Sequence, residues 1–233
     1  MLVSTHAVDR VPTSQEVREL PGGPALYVAS ALDRLGKRCR ILSGERAIVD
    51  VIPGANGEQY LVRSLPSIAL PAEIVAPAIV LSPIMREIDP HRLPAMVGLV
   101  VVDLQGFVRE PGKPSSICAR EVDLVSLLSR ADIVKATDRE LAALSAGSRE
   151  VLKETLLIVT RGARGATVIR GEDEIMIASR PVATSWTIGA GDNFLAALTA
   201  GLLDQLDPVV AAERAARFVE AFLRERDRER DSS

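Results

Sequence analysis

Short apolar runs alternate with amphipathic segments along most of this chain. Such alternation is typical of parallel strands that are joined by crossover helices, so it predicts an α/β fold with a mostly parallel sheet covered on both faces. In folds of this kind, ligands bind at the carboxyl ends of the strands. The predicted strands after residue 75 are 78–82, 99–103, 133–135 and 156–160, and the predicted helices between them are 90–96, 119–128 and 138–145.

The last third of the chain continues with two more strands and two helices. Residues 166–170 and 174–178 are apolar runs separated by a short Gly-containing turn, which predicts an antiparallel pair. Apolar residues at helical spacing then predict helices over 190–203 and 208–226. The charged tail, 224–233, is interpreted as a solvated helix end.

The first 65 residues predict a strand, a helix and a hairpin. The helix covers 25–35, and the polar segment before Glu19 is expected to be a loop or an edge. Apolar runs on either side of Asn56-Gly57 predict a β-hairpin, because this dipeptide favours the turn that joins two antiparallel strands. The hairpin comprises 47–52 and 59–62.

No boundary or linker divides the chain. We therefore expect a single domain over 1–233, with a β flap that is contributed by about 8–20 and 45–65.

Composition excludes several functional classes. The chain of 233 residues is 47% hydrophobic and 25% charged, and it has no uncharged apolar run of membrane-spanning length or secretory signal pattern, so a cytoplasmic protein without membrane contact is expected. The net charge of −3 and 3% aromatic content argue against nucleic acid as a partner. Cys39 and Cys118 are too few for a disulfide framework or a metal knuckle. The expected partner is a small molecule.

The segment Gly189-Ala190-Gly191-Asp192 precedes a clean apolar helix. Two glycines allow backbone N–H groups to converge at the helix start, where the helix dipole also favours an anion such as a phosphate. Asp192 in the first turn could accept a proton from an attacking hydroxyl group. Alone, the segment is also compatible with a loop that carries an acidic cap.

A second glycine motif makes the pair informative. Gly22-Gly23-Pro24-Ala25 opens the early helix that ends at Gly36, and together with Gly189-Ala190-Gly191-Asp192 it resembles the two signatures of the PfkB, or ribokinase-like, carbohydrate kinases. The order and the separation of the motifs match, and the resemblance extends from about residue 3 to about 221. Segments 101–109 and 134–140 are similar to those of myo-inositol kinases.

The resemblance implies a ribokinase-like three-layer α/β sandwich. It implies an enzyme that uses ATP and Mg²⁺ to phosphorylate a hydroxyl group of a sugar or a myo-inositol-like cyclitol, with Gly189, Ala190, Gly191 and Asp192 at the site of transfer. Asp192 would be the base.

The resemblance also implies a set of substrate-binding residues. Asp9, placed at the end of the first strand, would accept hydrogen bonds from vicinal hydroxyls, although a carboxylate in a surface turn is the alternative. Gly22 and Gly23 would let the backbone approach the substrate, and Tyr27 stands where many sugar kinases have a substrate-contacting Asn. Gln105 could bind a polyol or be an ordinary solvated side chain.

On the donor side, the segment Thr160-Arg161-Gly162-Ala163-Arg164-Gly165 is a glycine-rich hairpin that is similar to the family's nucleotide-bordering turn. The resemblance implies that Thr160, Arg161, Gly162 and Gly165 contact the nucleotide, and Lys135 is assigned to the same group.

Three residues depart from the family pattern or leave a role open. Glu140 is retained from the Asn-x-x-Glu pattern and would organise Mg²⁺ through water, or simply face solvent, whereas Thr137 replaces the Asn. Trp186 replaces an Asp, which leaves open whether a monovalent cation is needed. These departures leave open a non-catalytic ligand-binding relative as one alternative. A nucleoside kinase of the same family is a second alternative, since related enzymes phosphorylate nucleosides. A homodimer through the β flap is also expected to be possible.

Overall fold

The computed structural model describes residues 1–13, 16–52, 59–110, 121–184 and 186–231, with side chains through residue 228. In this part of the chain the strands form two sheets, and helices pack against the larger one. The strands are Leu2–Ser4 (β1), Ala7–Pro12 (β2), Val17–Gly22 (β3), Ile41–Leu42 (β4), Ala47–Ile52 (β5), Gln59–Ser64 (β6), Glu73–Ser82 (β7), Ala95–Asp103 (β8), Ile133–Ala136 (β9), Leu156–Thr160 (β10), Ala166–Arg170 (β11) and Asp173–Ile177 (β12). The helices are Pro24–Arg34 (α1), Gln105–Val108 (α2), Val125–Leu128 (α3), Asp138–Ala142 (α4), Ala146–Leu152 (α5), Ala190–Leu203 (α6) and Pro208–Asp231 (α7), with a short 3₁₀ turn at Gly162–Arg164.

The larger sheet has eight strands in the order β12-β11-β10-β9-β8-β7-β1-β4. The six strands from β10 to β4 are parallel, whereas β11 and β12 are antiparallel additions at one edge. The predicted α/β architecture with a mostly parallel sheet is therefore confirmed. All six parallel strands end at the same edge, which is where a ligand site is expected.

Apolar side chains cover both faces of the larger sheet. One cluster joins it to α1, α6 and α7, and includes Val28, Leu195 and Leu198. The other joins it to the shorter helices and includes Phe107 and Leu127. Because each fully buried side chain of this size contributes about 1.5–3 kcal/mol, the two clusters hold the helices firmly to the sheet.

Helix α6 is packed into the molecule along almost its whole length. Small residues make this possible, since a Cβ added at Gly201 would lie 3.0 Å from the Cβ of Ala211 on α7. Leu195 and Leu198 on α6 are fully buried. The start of α6 is consequently fixed relative to the sheet.

The second sheet, which we call the flap, has four strands in the order β3-β2-β5-β6. Strands β5 and β6 pair antiparallel as the hairpin prediction requires, and the Asn56-Gly57 turn itself lies outside the described residues. Ala47, Val49 and Val51 alternate inward along β5, and Ala47 and Val49 pack with Ile84 and Met85.

One prediction about local structure was met in part and another was wrong. The polar stretch before Glu19, expected to be a loop or an edge, forms strand β2 and the edge strand β3, which pair with each other in the flap. Residues 90–94 form turns and a connection into β8 instead of the predicted helix over 90–96, since Pro94 cannot occupy a helix interior.

The predicted helix over 138–145 is shorter, covering Asp138–Ala142, and a separate helix, α5, begins at Ala146. Thr137 caps α4 and Ser145 caps α5, where its hydroxyl accepts a hydrogen bond from the N–H of Ser148 at 3.2 Å. The predicted helix over 119–128 is shorter, covering Val125–Leu128, and its first two residues and Cys118 lie outside the described residues. Within the described ranges, no helix combines the length and the apolar character that a membrane crossing requires.

Candidate active site

A cavity of about 420 Å³ lies at the carboxyl edge of the parallel strands. The flap contributes Asp9, Val49 and Tyr60 to its lining, α6 contributes its first turn, and α7 contributes Val219 and Leu223. A volume of this size suits a small molecule. The predicted site residues that line the cavity are Asp9, Gly23, Tyr27, Gln105, Lys135, Thr160, Gly162, Gly165, Gly189, Ala190, Gly191 and Asp192.

The first turn of α6 opens into this cavity. Gly189 precedes the helix with φ 82° and ψ −3°, the left-handed conformation that favours glycine. Its carbonyl accepts hydrogen bonds from the N–H of Asn193 at 2.9 Å and from the side-chain amide of Asn193 at 2.8 Å. In the described part of the chain no side chain caps the helix, so its N-terminus faces the cavity as an anion site.

Neighbouring side chains lie close to both glycines of this turn. A Cβ at Gly189 would lie 2.7 Å from Cδ1 of Tyr27, which is closer than real contacts allow. A Cβ at Gly191 would lie 3.3 Å from Nζ of Lys135. The Lys135 ammonium group therefore lies directly beside the turn.

Lys135 forms a buried ion pair at the floor of the cavity. Its Nζ donates a hydrogen bond to Oδ2 of Asp103 at 2.8 Å, and both side chains are almost completely buried. Burial alone would lower the pKa of Lys135, but the charges of Asp103 and Glu140 raise it, so Lys135 stays protonated. The sequence assigned Lys135 to the nucleotide, and the structure places its Nζ at the floor of the cavity beside the first turn of α6.

Asp192 combines access to the cavity with an apolar and acidic environment. Burial, followed by the negative charge of Asp103, raises the pKa of Asp192 to about 6, and the positive charges of Lys135 and Arg109 oppose this rise. A carboxylate with such a pKa is ionised near neutral pH and is a stronger base than an ordinary Asp. The arrangement can remove a proton from a group held above α6.

The flap places Asp9 opposite Asp192. Asp9 lies within β2 of the flap, not at the end of the first strand as the sequence interpretation had it, because the chain crosses to the second sheet after β1. Gly22, on the paired strand, makes room for it, since a Cβ there would lie 2.0 Å from Oδ2 of Asp9. Burial raises the pKa of Asp9 to about 6, and the charge of Arg226 partly offsets the effect.

Tyr27 and Gln105 complete the same end of the cavity. Burial and the charge of Asp9 raise the pKa of Tyr27 to about 12, so its phenol stays neutral and can donate a hydrogen bond. Gln105 begins α2, directly after the strand that carries Asp103. Neutral and anionic oxygen atoms at this end favour a ligand that is rich in hydroxyl groups.

The segment after β12 and helix α7 add apolar walls to the cavity. Pro181, Val182 and Leu223 line it together with the turn that follows β10. The backbone N–H of Arg180 donates a hydrogen bond to Glu220 on α7 at 2.6 Å, which fixes this segment against the helix. Such walls suit the flat face of an organic base.

Three predicted residues lie outside the cavity lining. Gly22 supports Asp9 as described above. Arg161 pairs with the Asp138 carboxylate through Nε at 2.9 Å and Nη2 at 3.0 Å, and also donates to Thr167. Glu140 is buried in a capping box with Thr137, whose N–H donates to Oε2 of Glu140 at 2.8 Å.

A metal site was expected near Glu140. Among the described residues, no three His, Cys, Asp or Glu side chains are grouped closely enough to hold a metal ion by themselves. Burial and the charge of Asp103 raise the pKa of Glu140. Its position in the capping box fits a supporting role better than direct coordination. Mg²⁺ commonly keeps several waters and binds through substrate phosphates, and the cavity has room for such a complex.

Sequence reasoning missed three charged residues around the cavity. Asp103 ends an apolar strand at the carboxyl edge, which was an available signal. Arg109 lines the cavity and lies 5.6 Å from the ring centre of Tyr60 on the flap. Arg226 belongs to the tail that was interpreted as solvated, yet it contacts the loop before Gly189, so that interpretation was wrong for this residue.

Comparison with known proteins places these features in context. The profile of the pfkB family carbohydrate kinases matches residues 102–224, which is more than half of the chain. An inositol 3-kinase of Zea mays is 32% identical over 132 residues, which cover 54% of this chain and 34% of that protein. The chain aligns with about a third of the length of the curated relatives that it matches, 28% and 34%.

Solved structures share the fold over nearly the whole chain. A pyrophosphate-dependent kinase in the ribokinase family, complexed with a pyrophosphate analog and myo-inositol, superposes with a TM-score of 0.72 at 16% identity, covering 96% of this chain and 94% of that one. Ribokinase of Arabidopsis thaliana, complexed with ribose and ATP, superposes with a TM-score of 0.71 at 15% identity, covering 96% and 91%. At this identity the likeness establishes the fold, which is the predicted ribokinase-like one.

Proposed function

Because this chain belongs to the pfkB family of carbohydrate kinases, we propose that it transfers the γ-phosphoryl group of ATP to a hydroxyl group of a neutral cyclitol or sugar. The observation that carries the proposal is the uncapped start of α6, which faces the same cavity as Asp9, Lys135 and Asp192. An anion site, a buried cation and a base are the groups that phosphoryl transfer requires from a protein.

Each part of the chain has a separate role in this proposal. Asp9, Tyr27 and Gln105 bind the acceptor, and Asp192 takes the proton of its attacking hydroxyl. The backbone N–H groups at Gly191 and Asp192, with Lys135 beneath them, stabilise the negative charge on the transferred group. The flap excludes water that would compete as an acceptor.

ATP is proposed as the donor because the donor end of the cavity is lined by apolar side chains. Thr160, Gly162 and Gly165 border the proposed nucleotide, whereas the Arg161 guanidinium is engaged by Asp138. Mg²⁺, carried on the donor phosphates, would neutralise their charge, and Glu140 would reach it only through water. A pyrophosphate donor is the alternative that the pyrophosphate-dependent structural neighbour suggests.

A cyclitol is proposed as the first acceptor to test because the side chains of Asp9, Tyr27 and Gln105 can form hydrogen bonds with a ring that carries several hydroxyl groups. The similarity to inositol 3-kinase and the fold shared with the kinase bound to myo-inositol support this choice. A sugar or a nucleoside would meet the same side chains, so the acceptor assay must include both.

The organisation of the molecule forms part of the proposal. The chain is proposed to act as one ribokinase-like domain over 1–233, with the flap as its lid and with a second copy paired against the flap. A cytoplasmic location stays a prediction.

The decisive experiment measures transfer directly. The purified protein is incubated with MgCl₂ and either ATP or pyrophosphate, against a panel of myo-inositol, ribose, fructose and adenosine, and phosphorylated products are detected by phosphorus NMR. We expect turnover with ATP and myo-inositol or a related polyol. Nucleotide binding without turnover on any acceptor would favour a non-catalytic relative.

The variant Asp192→Asn tests the base. We expect turnover to fall at least about a hundredfold while ATP binding by calorimetry is retained, because only proton removal is lost. Asp173→Asn, at an exposed carboxylate on β12, is the matched control and should keep wild-type turnover. Near-normal turnover of Asp192→Asn would show that another group is the base.

A further inference from the structure

Arg226 on α7 occupies an unusual position for a residue near the end of a charged helix. Its Nη1 donates a hydrogen bond to the carbonyl oxygen of Ile188 at 2.7 Å. Its guanidinium carbon lies 5.8 Å from the ring centre of Tyr27, 5.9 Å from that of Trp186 and 5.4 Å from that of Phe222. One cation is thus surrounded by three aromatic rings, each of which attracts it.

These contacts border the anion-binding turn on two sides. Ile188 is the residue immediately before Gly189, so the hydrogen bond from Arg226 fixes the backbone that enters the turn. Tyr27 packs against Gly189 from the other side, where an added Cβ would lie 2.7 Å from its ring. Arg226 therefore contacts Ile188 and Tyr27, which lie on either side of Gly189, but it is not itself part of the cavity lining.

The same guanidinium acts on the acceptor end. Its positive charge opposes the burial that raises the pKa of Asp9, which favours the ionised form that accepts hydrogen bonds from hydroxyl groups. It also lies close enough to the Tyr27 hydroxyl to oppose the rise in the pKa of that group. Arg226 thereby links α7 to residues on α1, on the flap and at the start of α6.

We infer that Arg226 is a positioning residue that holds the Ile188 carbonyl and the Tyr27 ring, and so sets where the acceptor lies relative to the anion-binding turn. The kinetic consequences of this inference rest on the proposed function. The ordering of the Ile188 backbone and the Tyr27 ring by Arg226 does not depend on it. Loss of the guanidinium releases the backbone before Gly189 and the ring beside it together. Displacements of about 1 Å at such a site reduce transfer by as much as about a hundredfold.

The test uses Trp186, which is the sole tryptophan of the chain and lies beside Arg226. For Arg226→Ala we expect a red-shifted tryptophan emission and stronger quenching by acrylamide than in the wild type. We also expect kcat/KM for the acceptor to fall about ten- to a hundredfold, whereas the Kd for ATP changes little. Arg224→Ala, at an exposed position of the same helix, is the control and should match the wild type in all measurements.

Two conservative variants separate positioning from general destabilisation. Arg226→Lys keeps the charge but not the planar group, and Arg226→Gln keeps a donor for the Ile188 carbonyl but not the charge. Both should show intermediate acceptor kinetics with a folded far-ultraviolet spectrum, and they serve as the test if Arg226→Ala does not fold. Wild-type emission and wild-type acceptor kinetics in all three variants would overturn the inference.

The inference and the proposed function can fail separately. If the wild type phosphorylates no acceptor, the kinase proposal fails, and the emission and quenching comparison still decides whether Arg226 orders the segment before Gly189. If transfer is observed but the Trp186 signal and the acceptor kinetics do not depend on Arg226, only the positioning role is overturned.

Discussion

Asp9 and Asp192 are two carboxyl groups that face one cavity from different parts of the fold. Burial raises the pKa of each to about 6, from an ordinary value of 3.8. A raised folded-state pKa means that each group stabilises the fold below its unfolded-state pKa, and that this contribution is lost as the pH rises through about 6. The ionised forms that the proposed reaction requires therefore cost stability.

The pH dependence of transfer follows from these two groups. We expect kcat/KM for the acceptor to be constant at neutral pH and to fall about tenfold or more per unit below pH about 6, because protonation removes the base and an acceptor ligand. Measurement of kcat/KM from about pH 5 to about pH 8 checks this. Retention of full activity well below pH 5 would show that neither carboxyl group has the raised pKa.

At the residue scale, the sequence predicted the groups that belong to a local motif. Gly189, Gly191 and Asp192 are adjacent along the chain, so their spacing alone indicated a helix start with an acidic neighbour. The pairing of Asp103 with Lys135 joins two strands, and the contact of Arg226 with Ile188 joins α7 to the loop before α6. Such contacts depend on packing between elements, which a charge pattern along one helix does not reveal.

At the scale of elements, the first turn of α6 has the most restricted backbone conformation and the least space for a side chain. Gly189 is held at φ 82° with the Tyr27 ring against it, so neither the backbone nor the space accommodates a side chain. The helix behind this turn is buried by α7 and the sheet and cannot shift to make room. Its geometry is therefore set by packing that lies well outside the cavity.

Gly189→Ala tests this constraint. We expect the free energy of unfolding to fall by about 1–3 kcal/mol because of backbone strain, and turnover to fall about a hundredfold because the turn moves. Urea unfolding and steady-state kinetics measure the two effects. Gly147→Ala in α5 is the control, since its Cβ would meet Val125 Cγ2 at an ordinary 3.5 Å, and it should leave turnover unchanged.

Losses limited to stability in Gly189→Ala, with wild-type turnover, would contradict a role for this turn in transfer. A neutral effect on both quantities would contradict the observed backbone conformation.

Among the elements, strong periodicity predicted the buried parallel strands and α1, α6 and α7. The bounds of β2 and β3 could not be read from the sequence, which indicated only an edge or a loop within the flap, because β2 is held by pairing with β5, about 40 residues later in the chain. The prediction of a helix over 90–96 was wrong because the apolar spacing there is helical but the segment contains two prolines, and Pro94 would lie in the helix interior.

At the scale of the whole molecule, the flap presents an outer face with apolar side chains. Val17 is 50% exposed and Ile48 is 38% exposed, on the side of the flap that points away from Asp9. Exposed apolar groups on a small sheet are commonly covered by a partner. The cover proposed here is the flap of a second copy.

The oligomeric state tests that pairing. We expect sedimentation velocity to show a dimer for the wild type and a monomer for Ile48→Lys, because a buried lysine without a partner is unfavourable at the interface. Val97→Lys, at a position 53% exposed on the larger sheet, should remain dimeric. A monomeric wild type at micromolar concentration would contradict the flap pairing.

The strand order of the larger sheet has a consequence for how the protein reaches its native state. β1 is the earliest strand in the chain, yet it is hydrogen-bonded on one side to β4 and on the other to β7, which begins at Glu73. During synthesis, β1 can pair with β4 but cannot pair with β7 until the ribosome has released that later segment. Since pairings between distant parts of a chain form slowly, nascent molecules should spend appreciable time with an open, apolar ladder that chaperones would recognise.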